Sequence, residues 1–573
     1  MAWYAPSTLS TSTLIFDRFV AALDVDILTR GDVAEIRKLS GALRQSDQPG
    51  GGFEVTGNFN TVKKSGEINA QLIDLNQHAL KSFLAAALGD KQLESVTINS
   101  KTAAKLGGPT DMAVETEWHV ANLVVNDPSG RVPRTPLAVD FSADVAQVNQ
   151  VVDLKSVQLA LTKTERAPNS LNVGGRIDMT KSNAWTGAVK VSSEGLDLTP
   201  YYDLFAGDKP AAPSDKPAAL PPIQPAPGPE VEPPAMQLPF AQFVAELNIA
   251  KLFLREIAIS NWVTKATIQD NRVTVNPFAL SLNGAPVSLT ALANVGVPGY
   301  EYDLNARLDR VPVEPIVNTF QPDKRGQVKG ELLTLAAIKG AGITGPGLKK
   351  NLGGSVVLTL TNANVQISQN KYVQMLLQPL ALALQVPELA NSPLNWLDAR
   401  VGIGGGTVTL TNAIAESSLF RAGLSSGTMT LKDVLTNSTF NNLPVSIELR
   451  RSVAGWAKNL PGATSSTNFV ALPYFYSIGG TLGEPKPRVD TKAVASLLLQ
   501  GALQNVGGDA GKVLKGLGLG GGPSTNAAST NAVGNLIQGL GALLDKSAKT
   551  NASGTNAPAK GKSGGFKLND LLK

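Results

Sequence analysis

The sequence predicts a mostly β protein: an antiparallel β-sheet that is extended by repetition, with short helices and a flexible C-terminal tail. Three observations support this prediction: error-free alternation of apolar and polar residues, a recurring strand-and-helix pattern, and two segments whose composition is unsuited to a sheet. The chain has 573 residues, of which 43% are hydrophobic and 17% charged. That is enough apolar sequence for a sizeable covered surface.

The alternation is clearest in residues 300–309, which lie within the segment GYEYDLNARLDRV. Every second residue is apolar, and the residues between them are charged or amide-bearing. This period of two is typical of a strand with one dry and one wet side. The dry side comprises Tyr300, Tyr302, Leu304, Ala306 and Leu308.

A pattern of strand, junction and short helix occurs three times, at 66–84, 186–205 and 300–320. The second and third copies align closely, and the first is a looser match. Repetition at this spacing indicates an antiparallel meander extended by similar units. The aligned positions are Leu196 with Val311, Leu198 with Val313, Pro200 with Pro315 and Phe205 with Phe320.

Composition divides the chain further. Residues 206–239 contain eleven prolines, which favours an extended, solvated linker or a loop within one long sheet. The end of the chain is rich in Gly, Ala, Asn and Lys and predicts a mostly flexible tail with brief helices. The predicted segments are an N-terminal β-repeat region (1–205), the proline-rich linker or loop (206–239), a C-terminal β region (240–490) and the tail (491–573).

Gly340, Gly342 and Gly345 form the spacing G-x-G-x-x-G of a dinucleotide-binding turn. A dinucleotide site also needs an acidic residue about 20 positions later, and residues 332–387 contain none. The segment after the glycines returns to strand-like alternation too soon for a crossover helix. These glycines are therefore interpreted as turns, and the sequence predicts no cofactor.

Other chemical motifs are equally weak. Gly423, Ser425 and Gly427 spell the G-x-S-x-G of a hydrolase nucleophile elbow, but both histidines precede it, so a hairpin turn is the preferred interpretation. His78 and His119 lack metal-ligand spacing, and the chain has no cysteine. The sequence predicts no catalytic residue, no metal site and no enzymatic activity, although carboxylates gathered by the fold remain an alternative.

Charge and hydropathy exclude further classes. The net charge of +5 is spread along the chain without a concentrated basic patch, so no nucleic acid is expected as a partner. No run of about 18 apolar residues predicts a membrane-spanning helix. The opening residues lack the basic and apolar regions of a signal peptide.

The apolar side of the predicted strands must be covered, because a soluble monomer rarely exposes more than a few hundred Å² of contiguous apolar surface. Two kinds of cover are open at this point. The sheet packs on itself or on its helices as an ordinary core, or it forms a trough whose lining holds acyl chains.

The order of segments from about 240 to 490 resembles the C-terminal region of the AsmA family of bacterial envelope proteins. The resemblance rests on the order of the segments, because no single one is a catalytic signature. The matching segments are FVAELNIAKLFLREIAISNWVTKATIQDNRVTVNPFALSLNGAPVSLTALANV, YEYDLNARLDRVPVEPIVNTF, RGQVKGELLTLAAIKGAGITGPGLKKNLGGSVVLTLTNANVQIS and GGTLGEPKPRVD.

This resemblance implies that the repeat-built antiparallel β-sheet is elongated and curled into a groove, and that it is related to bridge-like lipid-transfer proteins, with phospholipid acyl chains and the inner or outer membrane surface as partners. It also implies a periplasmic role in outer-membrane biogenesis. It identifies no protein partner. Family members usually begin with a membrane anchor, which the opening residues do not show, so either an upstream segment is missing or the protein works unanchored. The remaining alternative is a closed β-scaffold that binds an envelope partner.

Overall fold

The computed structural model describes residues 2–4, 19–205, 231–366 and 377–493. Within these ranges, residues 131, 133, 379, 382, 383, 385, 456, 458–462, 467 and 491 are not described. The described chain is mostly β and its strands pair largely antiparallel, which confirms the predicted fold class. Most of the predicted linker (206–230) and nearly all of the predicted tail (494–573) lie outside the described residues.

The chain forms two compact units. Unit 1 contains the described residues within 1–228 and 235–296, and unit 2 contains those within 229–234 and from 297 onward. The boundary near residue 296 does not coincide with the proline-rich segment predicted at 206–239. The reason is that strands on either side of that segment pair directly with each other.

Unit 1 is a sheet in which most strands pair with the next strand along the chain. Its strands are β1 Ala2–Tyr4, β2 Phe19–Arg30, β3 Val33–Gln45, β4 Gln48–Asn60, β5 Ser65–Asn76, β6 Gln92–Leu106, β7 Met112–Asn126, β8 Leu137–Val148, β9 Val151–Leu161, β10 Ser170–Asp178, β11 Trp185–Asp197, β12 Phe240–Leu254, β13 Ile257–Gln269, β14 Arg272–Leu282 and β15 Ala285–Asn294. Its helices are α1 Gln77–Leu88 and α2 Thr199–Phe205.

Two-residue turns connect several of these strands. In the pairs Ser46–Asp47, Asn149–Gln150, Asp270–Asn271 and Asn283–Gly284, both residues have positive φ. That conformation matches the twist of antiparallel strands, and Asn, Asp and Gly adopt it at the lowest cost. These turns fix the register of each hairpin and therefore the side of the sheet on which every side chain lies.

Strands β11 and β12 pair in parallel, with Trp185 opposite Phe240 and Asp197 opposite Phe253. A parallel pair requires a long crossover connection, and the chain supplies it between residues 197 and 240. The junction is held by a polar network around Asp197, which accepts two hydrogen bonds from the Arg166 guanidinium (2.8 and 2.9 Å). The proline-rich segment thus connects two paired strands of unit 1, although its residues 229–234 belong to unit 2.

The buried core of unit 1 lies at one end of its strands. Helix α1 begins after Asn76, whose side chain accepts from the His78 N–H and caps the helix. Its apolar side and α2 pack on the ends of β6, β7 and β8. The buried cluster contains Leu88, Leu93, Val96, Val125, Val132, Leu137 and Leu204.

Unit 2 continues with shorter strands toward its end. These are β16 Glu301–Pro312, β17 Val328–Ala341, β18 Gly353–Val365, β19 Leu394–Gly404, β20 Thr407–Ser417, β21 Phe420–Leu424, β22 Gly427–Thr430, β23 Thr439–Phe440, β24 Leu443–Arg450, β25 Thr464–Ser465, β26 Phe469–Ala471, β27 Tyr476–Gly480 and β28 Pro485–Val489. Its helices are α3 Glu314–Phe320, α4 Gly345–Asn351, α5 Glu388–Asn391 and α6 Arg451–Ala454, with 3-10 turns at Pro322–Lys324 and Leu435–Asn437.

The three predicted copies of the repeat correspond to β5–α1, β11–α2 and β16–α3, so each predicted short helix follows its strand. Two local predictions were wrong. Tyr300 does not belong to the strand: it precedes β16 in a turn with φ of 61°. The segment Gly423–Gly427 is not a hairpin, because β21 and β22 both pair with β20 in one continuous register, with a bend at Ser425 and Ser426.

Candidate apolar binding face

A single row of cross-strand neighbours crosses fourteen strands of unit 1, from β2 to β15, without a charged residue. Residues directly opposite each other in paired strands share one side of the sheet, so these side chains lie side by side. We call this side the apolar face of unit 1. The row consists of Val25, Leu39, Val55, Ala70, Thr102, Thr116, Ala143, Val157, Val173, Val191, Leu247, Thr264, Phe278 and Leu289.

The neighbouring row, on the opposite side of the same strands, is polar. It bears carboxylates, a lysine, amides and hydroxyls, and exposed ion pairs such as Lys155–Asp144 (3.0 Å) and Lys38–Asp24 (2.7 Å) flank it. A shallow depression on this side is lined mostly by polar residues, among them Gln71, Lys101 and Glu117. The row consists of Asp24, Ser40, Glu54, Gln71, Lys101, Glu117, Ser142, Gln158, Asn172, Ser192 and Asn248.

The apolar face of unit 1 is not covered by the described part of the chain. Val25 is 53% exposed, and the other thirteen members of its row are half-buried, since they touch one another but nothing above them encloses them. The buried apolar cluster of this unit lies instead at the strand ends, under α1 and α2, and on the apolar face Ile249 of β12 is 5% exposed. A closed sheet core would bury the central row most deeply. Within the described residues, this face is therefore an open surface.

Four of the five predicted groove residues share one side of β16 in unit 2. Tyr302, Leu304, Ala306 and Leu308 are half-buried, and the residues between them are exposed. Tyr300, the fifth predicted groove residue, lies outside β16. Strand geometry therefore does not assign its side chain to this side of the sheet.

The side defined by these residues continues across β17 to β20, and we call it the apolar face of unit 2. Its central row is half-buried throughout, like the row of unit 1 apart from Val25. The adjacent row on the other side has exposed Ala337 opposite exposed Ser355. The central row consists of Ala306, Ala336, Val356, Val401 and Leu410.

The apolar face of unit 2 ends in a closed core. At β21, β24 and β26 the same side is covered by residues 377–391, α6 and the 472–476 segment. Phe420, Ile447, Leu449 and Val470 are at most 2% exposed there. One sheet side is therefore open from β16 to β20 and densely packed further along, which shows what a covered stretch of this chain looks like.

The G-x-G-x-x-G glycines lie next to the predicted groove, and the interpretation that they form a turn is confirmed. They connect β17 to the seven-residue helix α4, and the turn encloses the carboxylate of Glu232. The Ile343 N–H donates to Glu232 Oε2 (2.9 Å), and the Thr344 N–H and hydroxyl donate to Oε1. A Cβ on Gly342 or Gly347 would collide with this carboxylate. We call this contact the Glu232 clasp.

The Glu232 clasp changes the acidity of its members. Hydrogen bonds from the Thr344 hydroxyl and the Ile343 N–H hold the pKa of Glu232 below its ordinary value. The phenol of Tyr302 donates to the Gly342 carbonyl (3.3 Å), and its ring lies over Gly340. Burial and the nearby Glu232 carboxylate raise the pKa of Tyr302. Tyr302 therefore keeps its proton, and its ring forms the start of the unit 2 apolar face.

The histidines lie elsewhere. His78 is on α1, and His119 lies on the polar side of β7, where its Nδ1 is 2.8 Å from Asp140. No cluster of three potential metal ligands occurs among the described residues. None of the helices in the described ranges has the length and hydropathy needed to span a bilayer.

Sequence reasoning found the alternation but missed the extent of the face and the Glu232 clasp. The extent of the apolar face follows from the register of the paired strands, which alternation alone does not give. The two-residue turns rich in Asn and Asp are the sequence signal that indicates this register. No sequence signal links Glu232 to a turn more than a hundred residues away. Comparisons with protein-family models, with curated proteins and with solved structures found no match for this chain.

Proposed function

We propose that this protein is a non-enzymatic lipid-binding protein of the bacterial envelope. Its apolar faces hold the acyl chains of phospholipids while the head groups stay in water, and it conducts or buffers phospholipid between the inner and outer membranes. The observation that carries this proposal is the uncharged, half-buried row that crosses fourteen strands of unit 1 without a cover among the described residues.

Dimensions support an acyl-chain ligand. Strands lie about 4.8 Å apart, so a row across fourteen strands is about 60 Å long. The hydrocarbon of one bilayer leaflet is about 15 Å thick, half of the whole hydrocarbon core. The apolar face of unit 1 is thus long enough for several lipids side by side.

The resemblance of residues 240–490 to the AsmA family supports the cellular setting. It supports an activity in the periplasm and in outer-membrane biogenesis, with the membrane surfaces as source and destination of the lipid. The chemistry of the faces supports the ligand independently, because it depends only on register and burial.

Native mass spectrometry of the purified protein, followed by organic extraction and lipid identification, tests the proposal. We expect several copurifying phospholipids. The variant Ala336→Lys with Val356→Lys places two charges on the apolar face of unit 2, and we expect it to lose lipid while circular dichroism stays unchanged.

The matched control uses the adjacent cross-strand pair. Ala337→Lys with Ser355→Lys adds the same charges to the same two strands on the polar side. Equal lipid loss in both variants, or a stable wild-type protein without lipid, would contradict the proposal.

A second candidate is a structural scaffold that binds an envelope protein. The closed core around Leu449 favours it, because this part of unit 2 packs like an ordinary domain. A scaffold predicts a lipid-free protein whose stability is indifferent to added phospholipid.

A further inference from the structure

Polar groups on the apolar face of unit 1 are hydrogen-bonded to one another. The indole N–H of Trp118 donates to the Thr116 hydroxyl (3.0 Å), and the Thr116 and Thr102 hydroxyl oxygens are 2.6 Å apart. On a distant strand of the same face, the Trp262 N–H donates to the Thr264 hydroxyl (2.9 Å). In both cases tryptophan and threonine are two residues apart on one strand.

Both indoles stand among the apolar rows. Trp118 lies opposite Ser100 and Phe141, and it is 38% exposed. Trp262 lies opposite Ile249 in β12 and meets the ring of Phe278 edge-on at 6.1 Å. Each therefore presents a large aromatic surface beside other apolar side chains.

The internal hydrogen bonds decide which ligand suits these positions. An indole N–H that faces water needs no protein partner, whereas one that becomes covered by an apolar ligand loses water and requires a partner. Trp118 and Trp262 already have theirs. An extended peptide or a sugar needs hydrogen bonds from the surface that binds it, and each indole has only one N–H, which is already donated to a threonine.

We infer that the hydrocarbon chains of the bound lipid lie against the indole rings of Trp118 and Trp262. Thr116 and Thr264 are positioning residues, because each accepts a hydrogen bond from the indole N–H that loses its water when the lipid covers the ring. The ligand at these positions is a hydrocarbon chain and not a polar polymer. This inference rests on the proposed function and adds to it the residues of contact.

Fluorescence quenching by lipids with brominated acyl chains tests the inference. Three full-length variants each keep one tryptophan of the six, at position 118, 262 or 396, with the others replaced by phenylalanine. Trp396 is the matched control, because it is half-buried and lies opposite Glu416 on the polar side of unit 2. Each variant is mixed with brominated phosphatidylglycerol vesicles and with unbrominated ones.

We expect emission from Trp118 and Trp262 to shift to the blue with unbrominated lipid and to be lost with brominated lipid, while Trp396 changes little. Where a single-tryptophan variant fails to fold by circular dichroism, W118F and W262F in the otherwise native chain replace it. Each should then reduce the quenched share of the total emission.

The outcomes separate the two levels of the proposal. Lipid that copurifies, with Trp118 and Trp262 quenched no more than Trp396, overturns this inference and leaves the proposed function in place. Absence of both copurified lipid and quenching overturns both.

Threonine variants test the positioning role. Thr116→Val and Thr264→Val keep the shape of the side chain but leave a covered indole N–H without its acceptor, and we expect about tenfold weaker lipid binding. Thr116→Ser and Thr264→Ser keep the hydroxyl and should restore binding. Equal binding by the valine and serine variants would contradict the role.

Discussion

At the scale of single residues, the Glu232 clasp shows that the role of a glycine motif depends on the group that the turn binds. The glycines 340, 342 and 345 have the spacing of a phosphate-binding turn, and the turn does hold an anion. The anion is a carboxylate of the chain itself, bound by the N–H groups of Ile343 and Thr344. Sequence reasoning rejected the cofactor on the missing acidic residue, but it had no means to find Glu232.

The clasp predicts an acid-dependent loss of stability. Because the pKa of Glu232 is lowered in the folded protein, its ionised form stabilises unit 2 above the ordinary value of 4.5, and this stabilisation disappears as the pH falls through the lowered pKa. Glu232→Gln removes the charge, so we expect it to lower the melting temperature at pH 7 and to converge with the wild type once the pH has fallen below the lowered pKa. Thermal unfolding followed from pH 7 to pH 3 checks this, and a constant difference at all pH values would contradict it.

Asp197 predicts a larger effect of a single side chain in unit 1. It is 3% exposed, and besides Arg166 it accepts from the N–H of Thr199 (3.1 Å). Burial disfavours its charge, but these hydrogen bonds outweigh that cost and hold the pKa of Asp197 below its usual range. Arg166 is 40% exposed and can return to water, so we expect Asp197→Ala to cost about 2–3 kcal/mol.

The control for Asp197 is Asp144, whose ion pair with Lys155 is exposed on the polar side. Asp144→Ala should cost less than about 1 kcal/mol. Urea denaturation of both variants measures the difference. Equal costs would mean that the junction between β11 and β12 does not depend on the network.

At the scale of elements, much of the fold was predictable. Alternation identified β16 from Tyr302 to Leu308, and the repeat located α1, α2 and α3 after their strands. The exceptions have local physical causes. Tyr300 has a positive φ, which tyrosine rarely adopts and which its residue type therefore does not predict. The bend at Ser425 was predicted as a hairpin because the glycines on both sides suggested that the chain reverses direction.

The parallel pairing of β11 and β12 could not be predicted from the sequence. Parallel strands usually read as continuous apolar runs, yet Lys190 and Glu246 stand opposite each other in these two. The proline-rich connection also conceals the crossover, since its composition indicates only that it does not enter the sheet. Pairing depends here on partners far apart in the chain.

Open and closed parts of the unit 2 sheet predict different mutational costs. Leu449 is fully buried in the closed core, so Leu449→Ala should cost about 2–5 kcal/mol. Leu304 is half-buried on the open face, so Leu304→Ala should cost only about 1 kcal/mol in lipid-free protein.

Added phospholipid should change this comparison. A lipid that covers Leu304 gains apolar contact with it, so the cost of Leu304→Ala should rise when lipid is present, while the cost of Leu449→Ala stays the same. Denaturation with and without lipid measures both. A cost for Leu304→Ala as large as that for Leu449→Ala without lipid would show that the face is covered.

At the scale of the whole molecule, the sequence predicts a sheet with one dry side but not the fate of that side. Composition alone favoured an ordinary core over a trough, because most such faces simply pack, although both need the same alternation. Register supplies the distinction, since it shows that the uncharged row persists through every strand from β2 to β15 while burial stays incomplete.

Charged blocks placed in each unit test whether both apolar faces hold lipid. Ala143→Lys with Val157→Lys blocks unit 1, and Ala336→Lys with Val356→Lys blocks unit 2; each pair is directly opposed across two strands. Two ammonium groups exclude acyl chains from that part of the face, because burying an unpaired charge costs far more than the contact gains. We expect each block to lower the number of lipids seen by native mass spectrometry, and the combined variant to lower it by the sum. Ser142→Lys with Gln158→Lys, on the polar side of the same strands as the unit 1 block, is the control and should keep the full number. Loss of every lipid from one block alone would mean that the two faces do not bind independently, and an unchanged number in the combined variant would mean that lipid does not lie on these faces.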